Sequence, residues 1–404
     1  MKSRVRTMNL SEIADIQTGP FGSQLHKEDY VTIGTPIVTV EHLGRKNFTT
    51  QNLPHVSDED KKRLEKYILK TGDIVFSRVG AVDRCSFVSP QYEGWMFSGR
   101  CLSVRACNLI DSEYLYYYFQ LEEIKQFMRN IATGATMPSI NTRFMGEVPI
   151  RIPKLDVQTK IARILRVIDE KIEINERINK NLLQQAQSLY HSWFINYEPF
   201  DGVKPIDWID GTIDELGAEI ICGKTPSTKK TEYYGGATPF ITIPDMHGCV
   251  YNVSTKRYLS STGVASQPKK CLPPNTVCVS CIGTAGLVTL VSEESQSNQQ
   301  INSIVPKDGI SAYYIYLLMK TLSKTINKLG QSGSTIVNLN KTQFGKIQVM
   351  IPSQNVMQEF DVLCRPLFET IHSNQKENIK LSELRDTLLP QIMSGKIDIS
   401  NVDL

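Results

Sequence analysis

The sequence predicts an α+β fold in which two similar mixed α/β domains alternate with two long antiparallel helices that form a coiled coil with pseudo-two-fold symmetry. Two observations support this: an apolar helical stripe without Gly or Pro from Asp156 to about Phe194, and a repeat of the chain near 200 residues. Such a long period indicates duplication of a domain together with its helix, because solenoid repeats are much shorter. The predicted segments are domain 1, 1–153; spacer helix 1, 154–199; domain 2, 200–352; and spacer helix 2, 353–404.

Strand and helix patterns are mixed in the first domain. The segments 35–40 and 73–79 are rich in β-branched and aromatic residues and are bounded by Gly or Pro, which predicts strands. Residues 113–128 have helical spacing and include the cluster Tyr116–Tyr118. These tyrosines fit either a base-stacking platform or a core stripe, and we expect a core stripe because it is the commoner use of aromatic residues on a helix.

The first spacer helix carries apolar residues at steps of three and four, among them Ile168, Ile172 and Leu182. About 38 helical residues would span about 57 Å at 1.5 Å per residue. A compact domain does not normally bury so long a helix, so the sequence predicts a long partner helix.

The second half of the chain repeats the first in order. A shift of 199 residues carries a series of residues onto identical ones: Gly134 onto Gly333, Thr136 onto Thr335, Asn141 onto Asn340, Gly146 onto Gly345 and Pro153 onto Pro352. The strand 277–283 matches 74–80, whereas the loops diverge, so that Arg84 corresponds to Leu287. Duplicated scaffolds with unlike loops are expected of a protein that reads two different targets.

The second spacer helix repeats the apolar stripe, with Ile371 and Leu381 at the positions of Ile172 and Leu182. Pro366 lacks an amide donor and is expected to kink or restart this helix near Arg365. Asn175 and Asn374 are equivalent and interrupt the two stripes. Either they pair across the pseudo-two-fold axis and fix the register, or the stripes drift and both residues face solvent or a partner.

Composition limits the class of protein. The 404 residues are 41% hydrophobic and carry a net charge of +3, and the basic amino terminus lacks the apolar block of a signal peptide. We therefore expect a cytoplasmic protein, away from the membrane, with its nine cysteines reduced. A DNA-binding protein that acts alone usually has a larger basic excess, so either DNA is not bound or partner proteins supply part of the phosphate contacts.

No catalytic constellation is evident. Gly223-Lys224-Thr225 resembles the end of a P-loop, but position 218 is Ala and Pro226 follows where a helix should begin. Cys278 and Cys281 have the spacing of metal ligands without a second pair nearby, so we expect them to be buried apolar residues. The sequence therefore predicts a non-enzymatic chain without a metal or cofactor of its own.

Several segments resemble the specificity (S) subunit of type I restriction-modification systems, over nearly the whole chain. They are Gly223–Ser227, Ile282–Gly286 with Val79–Val82, Gln158–Ile172, Ser192–Pro199 and Leu388–Ile397. Gly19-Pro-Phe-Gly-Ser departs from the family form in the first copy. The resemblance implies two target-recognition domains that read a bipartite site in double-stranded DNA. It also implies two modification (M) subunits that carry S-adenosylmethionine, and restriction (R) subunits that use ATP and Mg.

Basic and amide side chains near the matched glycine turns are the expected DNA contacts: Arg78, Arg84, Arg100, Lys224, Lys229, Lys230 and Gln299. The expected helix and subunit interface comprises Ile168, Ile172, Asn175, Leu182, Ile371, Asn374 and Leu381. The alternative is a coiled-coil adaptor that displays two protein-binding domains. Divergent loops rich in Asn, Gln and Arg favour DNA, because these side chains read base edges.

Overall fold

The structure is a computed structural model, and it describes residues 6–22, 24–330 and 338–399. Gly333 and Thr335, and the predicted outer limits at residues 1 and 404, lie outside the described residues. The chain divides into two compact units, Met1–Asp169 with Glu383–Leu404, and Glu170–Ser382.

The first unit contains ten short strands and four complete helices among its described residues. The strands are β1 (Arg6–Asn9), β2 (Ala14–Thr18), β3 (Tyr30–Val31), β4 (Thr35–Val38), β5 (His55–Val56), β6 (Ile74–Ser77), β7 (Cys85–Phe87), β8 (Met96–Phe97), β9 (Cys101–Ala106) and β10 (Pro149–Ile152). The helices are α1 (Asp58–Arg63), α2 (Ser112–Phe119), α3 (Glu122–Ile131) and α4 (Thr142–Gly146).

The described strands of this unit form three sheets. The order β2-β9-β6-β7 is antiparallel throughout, a second sheet has the order β3-β5-β4-β8 with β4 and β8 parallel, and β1 pairs with β10. All four residues of β6 are buried, because the sheet is covered on both faces. The turn that follows β6 is consequently fixed to the core.

The tyrosine cluster is core, as predicted. Tyr116, Tyr117 and Tyr118 are at most 5% exposed and line α2. The helical stretch expected over 113–128 is divided at Gln120–Leu121, so that α2 and α3 are separate helices. Asp111 caps α2 by accepting hydrogen bonds from the amides of Glu113 and Tyr114.

The second unit repeats these elements. Its strands are β11 (Ile209–Thr212), β12 (Gly217–Cys222), β13 (Tyr234–Ile241), β14 (Tyr251–Asn252), β15 (Tyr258–Leu259), β16 (Val277–Ser280), β17 (Val288–Val291), β18 (Gln296–Ser297), β19 (Ile301–Pro306) and β20 (Gln348–Ile351). The main sheet, β12-β19-β16-β17-β14, contains the order of the first copy, and β15-β13-β18 again has a parallel pair, β13 and β18.

Helices follow the same plan in the second copy. They are α6 (Ile213–Leu216), α7 (Ser261–Ala265), α8 (Ala312–Gly330) and α9 (Lys341–Gly345), and the two long helices are α5 (Leu155–Phe194) and α10 (Gln354–Met393). The first fifteen residues of α5 and the last eleven of α10 belong to the first unit, and the rest of both helices belongs to the second.

Pro366 does not restart the second long helix, contrary to the sequence-based expectation, because α10 is continuous across it. Val362 is the residue whose carbonyl loses its amide donor, and it is 71% exposed, so water can satisfy that carbonyl. Cys364 and Phe368, on either side of the proline, are fully buried and anchor the helix. Tertiary packing therefore outweighs the local preference of proline.

None of the helices in the described part of the chain is long and apolar enough to cross a membrane. All nine cysteines are free thiols.

Candidate nucleic-acid interface

Each unit contains the same backbone frame at one end of its main sheet. In the first unit the amide of Arg78 donates to the carbonyl of Arg100 at 2.8 Å, and the carbonyl of Arg78 accepts from Ile140 at 3.0 Å. In the second unit Cys281 makes the corresponding bonds, to Gln300 at 2.8 Å and from Leu339 at 3.0 Å. Arg78 and Cys281 are therefore structurally equivalent, in agreement with the sequence repeat.

A glycine holds the early loop of each copy against this frame. The amide of Gly19 donates to Cys101 and that of Gly223 donates to Ile301, both at 3.1 Å. A Cβ atom at either glycine would lie 2.1 Å from a backbone oxygen, that of Ser98 or Asn298. Only glycine permits this approach of two backbones, so the loops after β2 and β12 are fixed to the turns before β9 and β19.

The first surface carries arginine on this frame. The guanidinium of Arg78 lies 5.6 Å from the ring centroid of Phe21, which is 56% exposed, and its Nη1 reaches the carbonyl of Gly99 at 3.5 Å. Arg100 and Arg84 are exposed, and the aliphatic part of Arg84 packs over Gly44. Within residues 6–22, 24–330 and 338–399, none of these three arginines pairs with a carboxylate. The surface is a site of uncompensated positive charge.

The second surface carries smaller polar groups on the same frame. Lys224 and Gln299 are exposed, and the hydroxyl of Thr225 donates to Oε1 of Gln299 at 2.7 Å. The amide of Lys224 donates to the carbonyl of Ser297 at 2.9 Å, which fixes the loop. Cys281, at the position of Arg78, is 1% exposed. The two surfaces thus share backbone geometry and differ in chemistry.

Lys229 and Lys230 lie further along the same loop of the second unit, and both are exposed. Nζ of Lys230 donates to Oη of Tyr233 at 3.0 Å, and this hydrogen bond raises the pKa of Lys230. The structure places these two lysines on the loop that also carries Lys224, as the sequence expects, but does not bring them into the backbone frame.

Polar residues form the interface between α5 and α10 in the second unit. Nδ2 of Asn175 donates to Oδ1 of Asn378 at 2.8 Å, and Nδ2 of Asn374 donates to Oδ1 of Asn179 at 2.9 Å. The residue number rises along α5 from one pair to the next while it falls along α10, so the two helices are antiparallel there. Asn175 and Asn374 do not pair with each other, which was one of the two alternatives that the sequence left open. Their partners, Asn378 and Asn179, are themselves equivalent in the repeat, so the two pairs are related by the same symmetry.

The same interface contains an ion pair. Lys171 lies 3.1 Å from Glu377, and Nδ2 of Asn175 donates to Glu377 at 2.7 Å. The hydrogen bond from Asn175, followed by that from Lys171, lowers the pKa of Glu377. Asn175 itself is 1% exposed, whereas Lys171 and Glu377 are partly exposed, so the polar seam has one buried asparagine that favours a single register.

The apolar interface residues differ in their exposure. Ile168 and Ile371 are buried, and Ile172, Leu182 and Leu381 are half-buried. Ile178, another apolar residue of the first spacer helix, is 39% exposed. The asparagines Asn175 and Asn179 occupy the seam at this level, because a straight helix drifts relative to a seven-residue repeat.

The remaining motifs have structural roles. Cys278 and Cys281 are buried, as predicted, and burial raises the pKa of each thiol to about 12. Throughout the part of the chain that the structure describes, no three His, Cys, Asp or Glu side chains are placed to hold a metal ion. Gly223–Thr225 forms the fixed loop of the second surface rather than the start of a helix.

Comparison with known proteins agrees with this geometry. The family model described as the type I restriction modification DNA specificity domain matches residues 2–184 and 205–381. The HindI specificity subunit of Haemophilus influenzae is 31% identical, over 82% of this chain and 88% of the relative, and the MjaIX specificity subunit of Methanocaldococcus jannaschii is 26% identical, over 72% and 70%. The crystal structure of an S subunit from M. genitalium has a TM-score of 0.64 at 15% identity, over 97% of this chain and 96% of that one.

A duplicated α+β scaffold with unlike polar surfaces is the architecture of a DNA specificity protein. The chain belongs to the type I restriction-modification specificity family, and it carries two copies of the specificity domain. The resemblance found in the sequence is thereby confirmed.

Proposed function

We propose that each specificity domain reads one half of a bipartite site in double-stranded DNA, through the surface built on its backbone frame. The observation that carries this proposal is the equivalence of Arg78 and Cys281. The two residues make the same backbone hydrogen bonds, but one carries a charged guanidinium and the other a buried thiol. A conserved frame with exchanged side chains suits two readers of different sequences. The proposed contacts are Arg78, Arg84, Arg100, Lys224, Lys229, Lys230 and Gln299.

We further propose that the chain is not itself catalytic and acts with partner subunits in the cytoplasm, where its DNA would be found. Two methyltransferase subunits would supply S-adenosylmethionine, and restriction subunits would supply ATP-dependent cleavage. The net charge of +3 supports this, because a small basic excess leaves part of the phosphate contacts to partners. The predicted segments 1–153, 154–199, 200–352 and 353–404 are retained as the functional division between recognition and spacing.

The test is to express the chain with and without a cognate methyltransferase subunit and to map methylated sites in the DNA of the host. We expect methylation at a bipartite motif only when both proteins are present. Exchange of Lys224 and Gln299 for alanine should alter one half of that motif and leave the other intact. Methyl transfer by the chain alone, or a motif that these changes leave untouched, would refute the proposal.

The coiled-coil adaptor alternative gives a different result in the same experiment. An adaptor with two protein-binding domains would leave the methylation pattern unchanged after substitution of either surface. The first surface, where Arg84 and Arg100 are exposed and neither they nor Arg78 pair with a carboxylate in the described part of the chain, favours a polyanionic ligand.

A further inference from the structure

We propose that Arg78 reads a guanine in the half-site of the first domain, and that the second domain reads its half-site without an arginine at the equivalent position. This inference rests on the proposed function and adds the identity of a base and of the residue that recognises it. Three features of the structure support it.

Arg78 is the first residue after a fully buried strand, and its backbone is fixed on both sides. Its amide and carbonyl are both hydrogen-bonded, to Arg100 and Ile140, and the preceding residue, Ser77, is 2% exposed. A side chain attached at such a point begins from a defined position. Base reading requires this, because a bidentate pair forms only when the donor fork reaches the base edge in the correct plane.

The guanidinium is also held at its far end. The face of Phe21 lies 5.6 Å away, and Nη1 approaches the carbonyl of Gly99. Phe21 is more than half exposed and Arg78 is half-buried, so the ring and the guanidinium beside it lie at the surface of the unit. A stacked guanidinium loses less conformational freedom on binding, and its remaining N–H donors stay available.

Nothing in the fold requires an arginine at this position. Cys281 keeps the same two backbone hydrogen bonds in the second copy, and its thiol is buried. The aromatic support is missing there as well, because the residue two positions after the loop glycine is Phe21 in the first copy and Thr225 in the second. The arginine and its aromatic support are therefore specific to the first surface. Arginine presents two parallel donors to O6 and N7 of guanine, whereas the amide of Gln299 in the second copy suits adenine.

A phosphate contact is the competing role of Arg78, and it differs in its consequences. A phosphate contact gives affinity without sequence information, so its loss weakens binding to all sequences alike and reduces the salt dependence. A base contact gives discrimination at one position of the motif. Lysine keeps the charge and loses the planar fork, so Arg78→Lys separates the two roles.

The experiment uses the complete complex with its methyltransferase subunit and measures methylation rates on every single-base variant of the recognised site. For Arg78→Lys we expect discrimination at one guanine of the first half-site to fall by about 5- to 150-fold, with the second half-site unchanged. Phe21→Leu should weaken the same discrimination to a smaller degree. Arg63→Lys, an exposed arginine on α1 that is paired with Asp60, serves as the matched control and should retain the wild-type profile.

Three outcomes would overturn the assignment: an unchanged profile for Arg78→Lys, loss of discrimination at a base other than guanine, or a uniform loss over all sequences. Circular dichroism and thermal unfolding of each variant establish that the fold is intact, and Phe21→Leu provides the second route if Arg78→Lys is misfolded. Failure of the wild-type complex to recognise any bipartite site would instead refute the proposed function, so the two failures are distinguishable.

Discussion

Asp169 accepts a hydrogen bond from Nη1 of Arg385 at 2.9 Å, and the residues at the equivalent positions of the second copy are Phe368 and Ala186. Tyr117 completes the polar cluster by donating its hydroxyl to Asp169 at 2.7 Å. The duplicated scaffold therefore fills one site with charges and the other with apolar side chains. Asp169 is 6% exposed, and Phe368 and Ala186 are fully buried in one hydrophobic cluster.

Removing only one partner of this ion pair should be costly. Burial lowers the pKa of Arg385, but the hydrogen bond and charge of Asp169 more than compensate, so the pKa lies above its ordinary value. Arg385→Ala leaves the Asp169 carboxylate buried and short of donors, so we expect the free energy of unfolding to fall by about 3 kcal/mol. Urea denaturation of the wild type and the variant measures this.

Installing the apolar arrangement of the second copy should reverse most of that loss. Tyr117 and Leu317 correspond through the caps of their helices, Asp111 and Ser311, so the matched variant is Tyr117→Leu/Asp169→Phe/Arg385→Ala. Replacement of buried ion pairs by apolar residues is often neutral or stabilising. A triple variant less stable than Arg385→Ala alone would show that the two sites differ in shape as well as in polarity.

The close approach at Gly19 gives a prediction about recognition. Gly19→Ala forces a methyl group into the carbonyl of Ser98, which should cost about 2 kcal/mol or more and displace the loop that carries Phe21. Recognition of the first half-site should be lost while the second is retained. Gly22→Ala is the control, since no atom lies within 4 Å of the added carbon, and equal effects of both changes on methylation at variant sites would argue against a fixed loop.

Much of this architecture was accessible from the sequence, because the internal repeat, which has an offset of 203 residues at these strands, aligns Arg78 with Cys281 without structural help. The contact between Phe21 and the guanidinium of Arg78 could not be predicted from the sequence, since Phe21 follows a Gly-Pro pair that suggests only a turn. Its neighbours Gly99 and Arg78 are far away in the chain, and no local pattern reports such contacts. The sequence located the asparagines of the helix interface but not their partners, which lie four residues further along each helix than Asn175 and Asn374. The direction of a side chain on a helix decides which residues meet, and the repeat alone does not show it.

His372 gives a prediction about pH. Its ring stacks on Tyr251 with 4.3 Å between the ring centroids, and its Nε2 lies 2.7 Å from Oγ of Ser292. Burial, followed by the charge of Lys376, lowers the pKa of His372. The folded chain therefore binds fewer protons than the unfolded chain as pH falls below about 6.5, and His372 should make folding less stable there.

The measurement is the free energy of unfolding of the wild type and His372→Phe between pH 7.5 and pH 5. The variant retains an aromatic ring against Tyr251 and has no group to protonate, so its stability should fall less steeply below about pH 6.5. His247→Gln, at an exposed position, should follow the wild type. Parallel curves for the wild type and His372→Phe would contradict the assignment.

The asparagine pairs define where the spacer helices can be lengthened. Arg177 lies midway between Asn175 and Asn179, and Lys376 lies midway between Asn374 and Asn378. Insertion of the same four residues after Arg177 and after Lys376 therefore allows both pairs, Asn175–Asn378 and Asn179–Asn374, to form again in the longer antiparallel pair. The added turn is about 6 Å long.

If the two helices set the distance between the half-sites, this double insertion should lengthen the unread spacer of the DNA site by one or two base pairs, because each base pair rises about 3.4 Å. Both half-sites should stay the same, since neither recognition surface is altered. Insertion into one helix alone is the matched control. It displaces the asparagines of one helix against those of the other, so it should reduce stability without giving a new defined spacer. Mapping of methylated sites decides the matter: an unchanged spacer, or altered half-sites, in the double insertion would show that the helices do not measure the distance.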